Sequence, residues 1–296
     1  MHGFSATDAA FSGFHFVKAH PRTVLIWTGC YLLLMLVGAV LGIAVFGHAY
    51  VDMLVSPRLA EPAMIRRVAW LAVPELLAFV PFLLAMKAAI IRALLYGPAG
   101  GRWAGLRFGK PELALLGVYM LIGLSVAGVY LVGLIAAILF FALKQPVASA
   151  IGVLVVVFTV GACIWMAVRL SLGPVVWVAE GRRSLKRSWA LTKGRFWALF
   201  GAYLLLSVTF LVAYLIMYLV FAIPLAVSVF GQGLGFTELG LVLTRRAPVL
   251  TTLQLVFSLG PSVIQMLIQG AVTPIQTGPS VAAYRVFALD APEAAA

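Results

Sequence analysis

One arrangement occurs three times along this chain: a basic segment with aromatic residues, then two long apolar stretches, then a closing arginine. The basic segments lie at residues 14–22, 102–110 and 182–195, and the closing residues are Arg92, Arg169 and Arg285. A helix of about 20 apolar residues spans the hydrocarbon core of a bilayer. The arrangement therefore predicts an integral membrane protein made of three helical hairpins.

Composition favours a membrane protein over a soluble one. Hydrophobic residues make up 64% of the 296 residues and charged residues only 10%, whereas a soluble domain carries about 25% charged residues. The net charge of +12 would indicate nucleic acid as the partner of a soluble protein. Here the cations lie between apolar stretches, so the expected partner is the anionic cytoplasmic leaflet, and no nucleic acid is expected.

Six segments are long and apolar enough to be spans: residues 23–46, 68–91, 113–143, 147–168, 196–230 and 261–284. The predicted fold class is an all-α integral membrane protein, with six transmembrane helices as three helical hairpins and amphipathic cytoplasmic elbow helices. Residues 1–296 are expected to form a single six-span domain. Residues 1–22 form its cytoplasmic amphipathic first segment, and residues 286–296 form a short cytoplasmic tail.

The last apolar stretch, residues 249–289, is too long for one crossing. It contains Pro261, Pro274 and Pro279. Because proline removes a helix hydrogen bond, these residues are expected to break or kink the stretch. Residues 249–260 are then expected to form a helix near the outer face.

The distribution of lysine and arginine predicts the orientation. With both termini inside, the cations on the inner side outnumber those on the outer side by about two to one. Cytoplasmic loops carry the excess of positive charge in membrane proteins. We therefore expect both the N-terminus and the C-terminus in the cytoplasm.

Short internal matches agree with a threefold repeat. The first, third and fifth spans contain Gly29-Cys30-Tyr31, Gly117-Val118-Tyr119 and Gly201-Ala202-Tyr203. Apolar helices match one another easily by chance, so the order of the elements carries more weight than any single match. Parallel repeats around an axis along the membrane normal would fit this order.

Two segments resemble a bacterial protein family. Residues 180–197, with the sequence EGRRSLKRSWALTKGRFW, and Ala282-Ala283-Tyr284-Arg285 are similar to parts of uncharacterised six-span membrane proteins. These proteins are related to the membrane domain of some glycerophosphoryl diester phosphodiesterases. The resemblance covers most of the chain and implies a membrane module of the bacterial inner membrane. The soluble catalytic domain of those phosphodiesterases has no counterpart in this sequence, so their activity is not carried over.

Two groups of residues are candidates for binding anionic lipid or a protein partner. The first group is the closing arginines, and the second is the basic elbow at residues 182–195, where tryptophan sits at the acyl boundary and cations reach phosphates. Together they are Arg92, Arg169, Arg285, Arg182, Arg183, Lys186, Arg187, Trp189, Lys193 and Arg195. Two simpler interpretations remain open: the elbow only enforces the orientation, and the arginines are three independent headgroup anchors.

A polar stripe marks the sixth predicted span. Its members, spaced by three or four residues along one helical face, are Gln265, Gln269, Thr273, Gln276 and Ser280. Such a stripe either lines a path for a polar substrate or joins helices through hydrogen bonds in lipid. The second interpretation is favoured.

Enzyme motifs and clusters of metal ligands are absent from the sequence, so no catalytic residue, cofactor or metal site is expected. The single acid within a span is Glu75, which leaves an intramembrane enzyme as a minor alternative. The leading hypothesis is a non-catalytic membrane module that binds anionic lipid or a partner, as an accessory or scaffold in envelope or lipid homeostasis. The main alternative is a transporter or lipid-translocating protein that uses the centre of the bundle.

Overall fold

A computed structural model describes residues 4–46, 62–98, 104–107, 109–181, 184–233, 235–243 and 252–290. Within these residues the fold is all-α, without strands, which confirms the all-α part of the predicted fold class. The helices in chain order are α1 Ala6–Ala19, α2 Pro21–Phe46, α3 Pro62–Tyr96, α4 Lys110–Ala142, α5 Pro146–Leu170, α6 Gly173–Glu180, α7 Ser184–Leu191, α8 Phe196–Gly231, α9 Phe236–Leu243 and α10 Thr252–Asp290.

Among the described residues, five segments are long and apolar enough to cross a membrane. They are Pro21–Ala44, Phe79–Tyr96, Lys110–Ala142, Pro146–Glu180 and Phe196–Gly231. Several such helices indicate a multi-pass membrane protein. The number of six spans, the three hairpins and the single domain stay predictions.

The sixth predicted span, residues 261–284, lies in α10, which is not one of these five segments. From Gly270 to Ala283 most α10 side chains are buried in the protein, including Thr273, Thr277 and Ser280. A helix surrounded by protein does not need an apolar surface of its own. Its lower hydropathy therefore agrees with its buried position.

The expected separate helix at residues 249–260 is not found, because α10 runs without interruption from Thr252 to Asp290. Pro261, Pro274 and Pro279 all lie inside this one helix, and all three are buried. Proline is tolerated in membrane helices where neighbouring helices satisfy the freed backbone groups. Sequence alone does not reveal that packing, which is why a break was the natural expectation.

The described chain divides into two compact units. The first consists of Met1–Ala19, Leu84–Leu206 and Pro274–Ala296, and the second of His20–Leu83 and Ser207–Thr273.

In the first unit, α4 and α5 form an antiparallel pair. Gly133 lies against Thr159, and Gly152 lies against the ring of Phe141. Larger residues at these glycines would collide with those side chains, so close approach of the two helices depends on them. The outer faces of the pair carry exposed leucine, valine and phenylalanine, as expected for surfaces that meet lipid tails.

Helix α1 packs lengthwise on α10 in the first unit. Its buried residues are Ala9, Ala10 and Gly13, and a Cβ atom on Gly13 would overlap the backbone of Ile275. On the α10 side, Gly278 approaches Gly13 in the same way. The predicted amphipathic first segment therefore has a small-residue face that is buried against another helix; its cytoplasmic location stays a prediction.

One end of the first unit gathers several helix termini around a shared core. The core residues come from α5, α7, α8, α10 and the segment at α6: Val168, Leu172, Val176, Leu191, Leu199, Ala283 and Phe287. The ring of Phe4 contacts Phe287 with ring centroids 5.0 Å apart. We call this the basic end, because the closing arginines and the elbow lie here.

In the second unit, α2 contacts the first half of α10. The Tyr31 hydroxyl lies 3.3 Å from Thr273 Oγ1, and Gly270 lies against Thr28. The Tyr31 ring also meets Phe82 of α3 edge to face. Small residues and one buried hydroxyl pair thus join these helices.

Candidate functional site

Arg92, in the last turns of α3, is held by the start of α4. Its Nη1 atom donates to Glu112 Oε1 at 2.8 Å, and Nη2 donates to the Gly105 carbonyl oxygen at 3.5 Å. The Glu112 side chain is 7% exposed and that of Arg92 is 31% exposed. Glu112 also lies in the first turn of α4, where the helix dipole stabilises a negative charge.

Arg285, in the last turns of α10, caps α3. Its Nη2 atom donates to the carbonyl oxygens of Leu94 at 2.5 Å and Leu95 at 2.7 Å. These carbonyls lie in the last turn of α3, where no further intrahelical donor is present. An arginine is suited to this position because it supplies donors and its positive charge complements the helix C-terminus.

Arg169, at the end of α5, lies between two tryptophans. Its guanidinium carbon is 5.4 Å from the ring centroid of Trp165 and 4.7 Å from that of Trp189, and the two rings meet edge to face. The Nη1 atom donates to Trp189 O and Thr192 Oγ1, each at 3.3 Å. Among the described residues, Arg169 Nε is the one buried side-chain polar atom without a hydrogen-bond partner.

The basic elbow is docked on α5 through two buried hydroxyls. Ser188 Oγ donates to the Arg169 carbonyl oxygen at 2.8 Å, and Thr192 Oγ1 donates to the same carbonyl oxygen at 3.3 Å. Both side chains are fully buried. These contacts fix α7 against the protein, with Trp189 half-buried on Arg169 rather than projecting away.

The remaining elbow cations differ in exposure. Lys186 and Lys193 are exposed, whereas Arg187 Nε lies 3.6 Å from Glu180 Oε1. The Arg195 guanidinium lies over the buried ring of Phe287, 4.7 Å from its centroid. The predicted binding residues Arg182 and Arg183 lie outside the described residues.

Each closing arginine therefore has intramolecular partners of its own. Arg92 joins α3 to α4, Arg169 joins α5 to α7, and Arg285 joins α10 to α3. The three contacts lie at the same basic end of the first unit, but each guanidinium is engaged at a different junction. Their role in lipid binding stays a prediction, and the structure adds a role in holding helix ends together.

Two adjoining grooves open at the basic end. One, of about 460 Å³, is lined by Ala88, Arg92, Lys110, Pro111, Glu112, Ala114, Trp177, Val178 and Gly181. The other, of about 650 Å³, is lined by Ala114, Gly117, Val118, Leu121, Trp177, Leu185 and Lys186. The first contains three charged side chains, and the second is apolar apart from Lys186. We call them the polar groove and the apolar groove.

Trp177 and Ala114 line both grooves. The Trp177 indole is oriented by its Nε1–H, which donates to the Pro111 carbonyl oxygen at 3.2 Å. Pro111 lies in the first turn of α4, and this bond ties the α6 indole to the start of α4. The ring is thereby fixed at the boundary between the polar and the apolar groove.

Lys110, Glu112, Gly117 and Trp177 belong to this site and were not among the predicted binding residues. Lys110 ends the second basic segment, which is a signal the sequence does contain. Its proximity to Trp177 is not visible from periodicity, since Trp177 lies in a short helix after a different span. The grooves arise from the packing of α3, α4, α6 and α7, which sequence spacing does not encode.

The polar stripe of α10 is divided by exposure. Thr273 and Ser280 are buried and Gln269 is half-buried, whereas Gln265 and Gln276 are exposed. Thr273 Oγ1 donates to the Gln269 carbonyl oxygen at 3.0 Å and meets the Tyr31 hydroxyl. The bond between Thr273 and Tyr31 joins α10 to α2, as hydrogen bonds between membrane helices do, whereas the bond to Gln269 lies within α10.

In the part of the chain that the structure describes, no three His, Cys, Asp or Glu residues are placed to hold a metal ion. The side chain of Glu75 lies outside the described residues.

Comparison of the chain with protein-family models, with curated proteins and with solved structures finds no match.

Proposed function

We propose that this protein is a non-catalytic, six-span membrane module that binds anionic lipid, or a protein partner, through its basic end. Its role is that of an accessory or scaffold in envelope or lipid homeostasis. In this proposal α10 is the sixth span, and the helices form three hairpins. Both termini face the cytoplasm of a bacterial cell, whose inner membrane holds the protein.

The observation that carries the proposal is the presence of exposed cations around the grooves at one end of the first unit. Lys110, Lys186 and Lys193 are exposed there, while the nearby acids Glu112 and Glu180 each pair with an arginine. A lysine or arginine near an anionic membrane surface contributes about 1 kcal/mol of attraction. The same excess of positive charge supports a cytoplasmic position of this end.

Native mass spectrometry of the full chain, released from its own membrane with minimal delipidation, tests the proposal. We expect stoichiometric phospholipid with an anionic headgroup, retained under activation that removes zwitterionic lipid. The control is reconstitution with phosphatidylglycerol and phosphatidylcholine that carry identical acyl chains. Equal retention of the two lipids contradicts binding of anionic lipid, and a stoichiometric protein with loosely held lipid instead indicates recognition of a protein partner.

A second function, transport of a polar or lipid substrate through the bundle centre, has one supporting observation. Gln265 and Gln276 are exposed on α10, and polar side chains within membrane helices commonly face a partner or a water-filled path. The buried hydrogen bonds of Thr273 support helix joining instead.

A further inference from the structure

We propose that the polar and apolar grooves together form a binding site for one anionic glycerophospholipid. The phosphate lies in the polar groove beside Lys110 and Arg92, with Lys186 at the neighbouring rim, and one acyl chain follows α4 through the apolar groove. The inference rests on the proposed function and assigns it a particular site. It also differs from a general attraction of the basic end to an anionic membrane.

The two grooves are continuous with each other. Ala114 and Trp177 form a wall of each, so a ligand in one groove extends into the other past the indole ring. The hydrogen bond from Trp177 Nε1 to Pro111 O keeps the ring in this position. Tryptophan is common where one side of a residue is apolar and the other is polar, which is the situation of a lipid at its glycerol backbone.

The residues that line the two grooves carry a net positive charge. The grooves present Lys110, Lys186 and Arg92 against the single carboxylate of Glu112. Glu112 is buried and binds Arg92 Nη1, so one carboxylate is already neutralised by its partner. Arginine has five N–H donors, and its side chain here is 31% exposed. The surplus of two positive charges complements the charge of a phosphodiester.

One face of α4 forms a wall of the apolar groove. On α4, Ala114, Gly117, Val118 and Leu121 line the groove, at spacings that place them on one helical face. A Cβ atom added to Gly117 would have no neighbouring atom within 4 Å, so a larger side chain at this position would occupy open space in the groove. The volume of about 650 Å³ lies within the usual range for ligand pockets, about 300–1,000 Å³.

The position of α4 selects a lipid over a soluble phosphate compound. The apolar groove lies along Lys110–Ala142, one of the segments long and apolar enough to cross a membrane. Leu121 is 53% exposed at the far part of the groove, where a chain leaving the site meets the surface that faces lipid. A free phosphate compound would use the cations but would leave the apolar groove empty.

Two pairs of variants test the site. Gly117→Leu fills the apolar groove, and Gly123→Leu is its control on α4, because an added Cβ atom there also has no neighbour within 4 Å. Lys110→Gln with Lys186→Gln removes two groove cations, and Lys18→Gln with Lys144→Gln removes two exposed cations that line neither groove. Each control thus has the same change in volume or charge as its partner.

The measurement is native mass spectrometry of the full chain titrated with phosphatidylglycerol, with glycerol 3-phosphate as a headgroup probe. We expect one lipid bound per chain, and binding about tenfold weaker in Gly117→Leu and in the Lys110/Lys186 variant, with both controls unchanged. Circular dichroism and thermal unfolding establish that each variant is folded. If Gly117→Leu is unfolded, Ala114→Leu on the same groove wall serves as the second variant.

The outcomes separate this site from the general function. Equal losses in the Lys110/Lys186 variant and its charge control, with anionic lipid still bound by the unchanged chain, overturn the site and leave the proposed function standing. Binding of glycerol 3-phosphate as tight as that of the lipid overturns the role of the apolar groove. Absence of any retained anionic lipid in the unchanged chain overturns the site and also lipid binding in the proposed function, which then reduces to recognition of a protein partner.

Discussion

The Nη2 atom of Arg285 donates to the carbonyl oxygen of Leu94, a residue 191 positions earlier in the chain. This bond joins the end of α10 to the end of α3, and Arg92 lies in the same last turns of α3. Arg169 makes a comparable contact, from the end of α5 to the Trp189 carbonyl oxygen in α7. The closing arginines therefore share a structural use: each holds the end of a long helix to another segment.

Replacing Arg285 with glutamine is expected to lower the free energy of unfolding by about 1 kcal/mol, because two carbonyl oxygens of α3 lose their donor. Thermal unfolding of the full chain in one detergent measures the change. The control is Arg107→Gln, which removes an exposed cation of the loop before α4. Identical melting temperatures for the two variants would show that the cap contributes nothing.

Arg92→Gln is expected to destabilise the protein more than Glu112→Gln does. The first substitution leaves a carboxylate that is only 7% exposed without its partner, whereas the second leaves an arginine that is 31% exposed. Unpaired buried charges are costly, and partial exposure reduces the cost here to about 1–3 kcal/mol. Unfolding of the two single variants and the double variant forms a mutant cycle, and full additivity would contradict coupling between the side chains.

Gly13→Val is expected to destabilise the first unit by about 1–3 kcal/mol or to prevent folding, because its side chain would collide with the backbone of Ile275. Gly29→Ala is the opposite case, since an added Cβ atom in α2 meets no atom within 4 Å. Alanine there is expected to raise stability by about 0.5–1 kcal/mol. Thermal unfolding of the two variants under the same conditions measures both changes in stability. Equal effects of the two substitutions would contradict the close packing of α1 on α10.

The sequence predicts the long apolar helices well. It predicts the contacts of the closing arginines poorly. An apolar run has a direct physical meaning in a bilayer, so α2, α4, α5 and α8 follow from composition and length. A pairing such as that of Arg285 with Leu94 depends on long-range packing. Small residues show the same limit: Gly13 has no apolar side chain to signal burial, yet it makes one of the closest helix contacts.

The polar stripe of α10 offers a test between transport and helix joining. Thr273→Val keeps the shape of the side chain but removes the hydroxyl that meets Tyr31 and Gln269. If the stripe joins helices, this variant loses about 1 kcal/mol of stability, and alanine at the exposed residues Gln265 and Gln276 changes stability little. If the stripe instead lines a polar path, the variant with alanine at Gln265 and Gln276 folds but loses substrate movement. Thermal unfolding and a flux assay in vesicles, performed on the same preparations, distinguish the two, because helix joining predicts a change in stability at Thr273 alone.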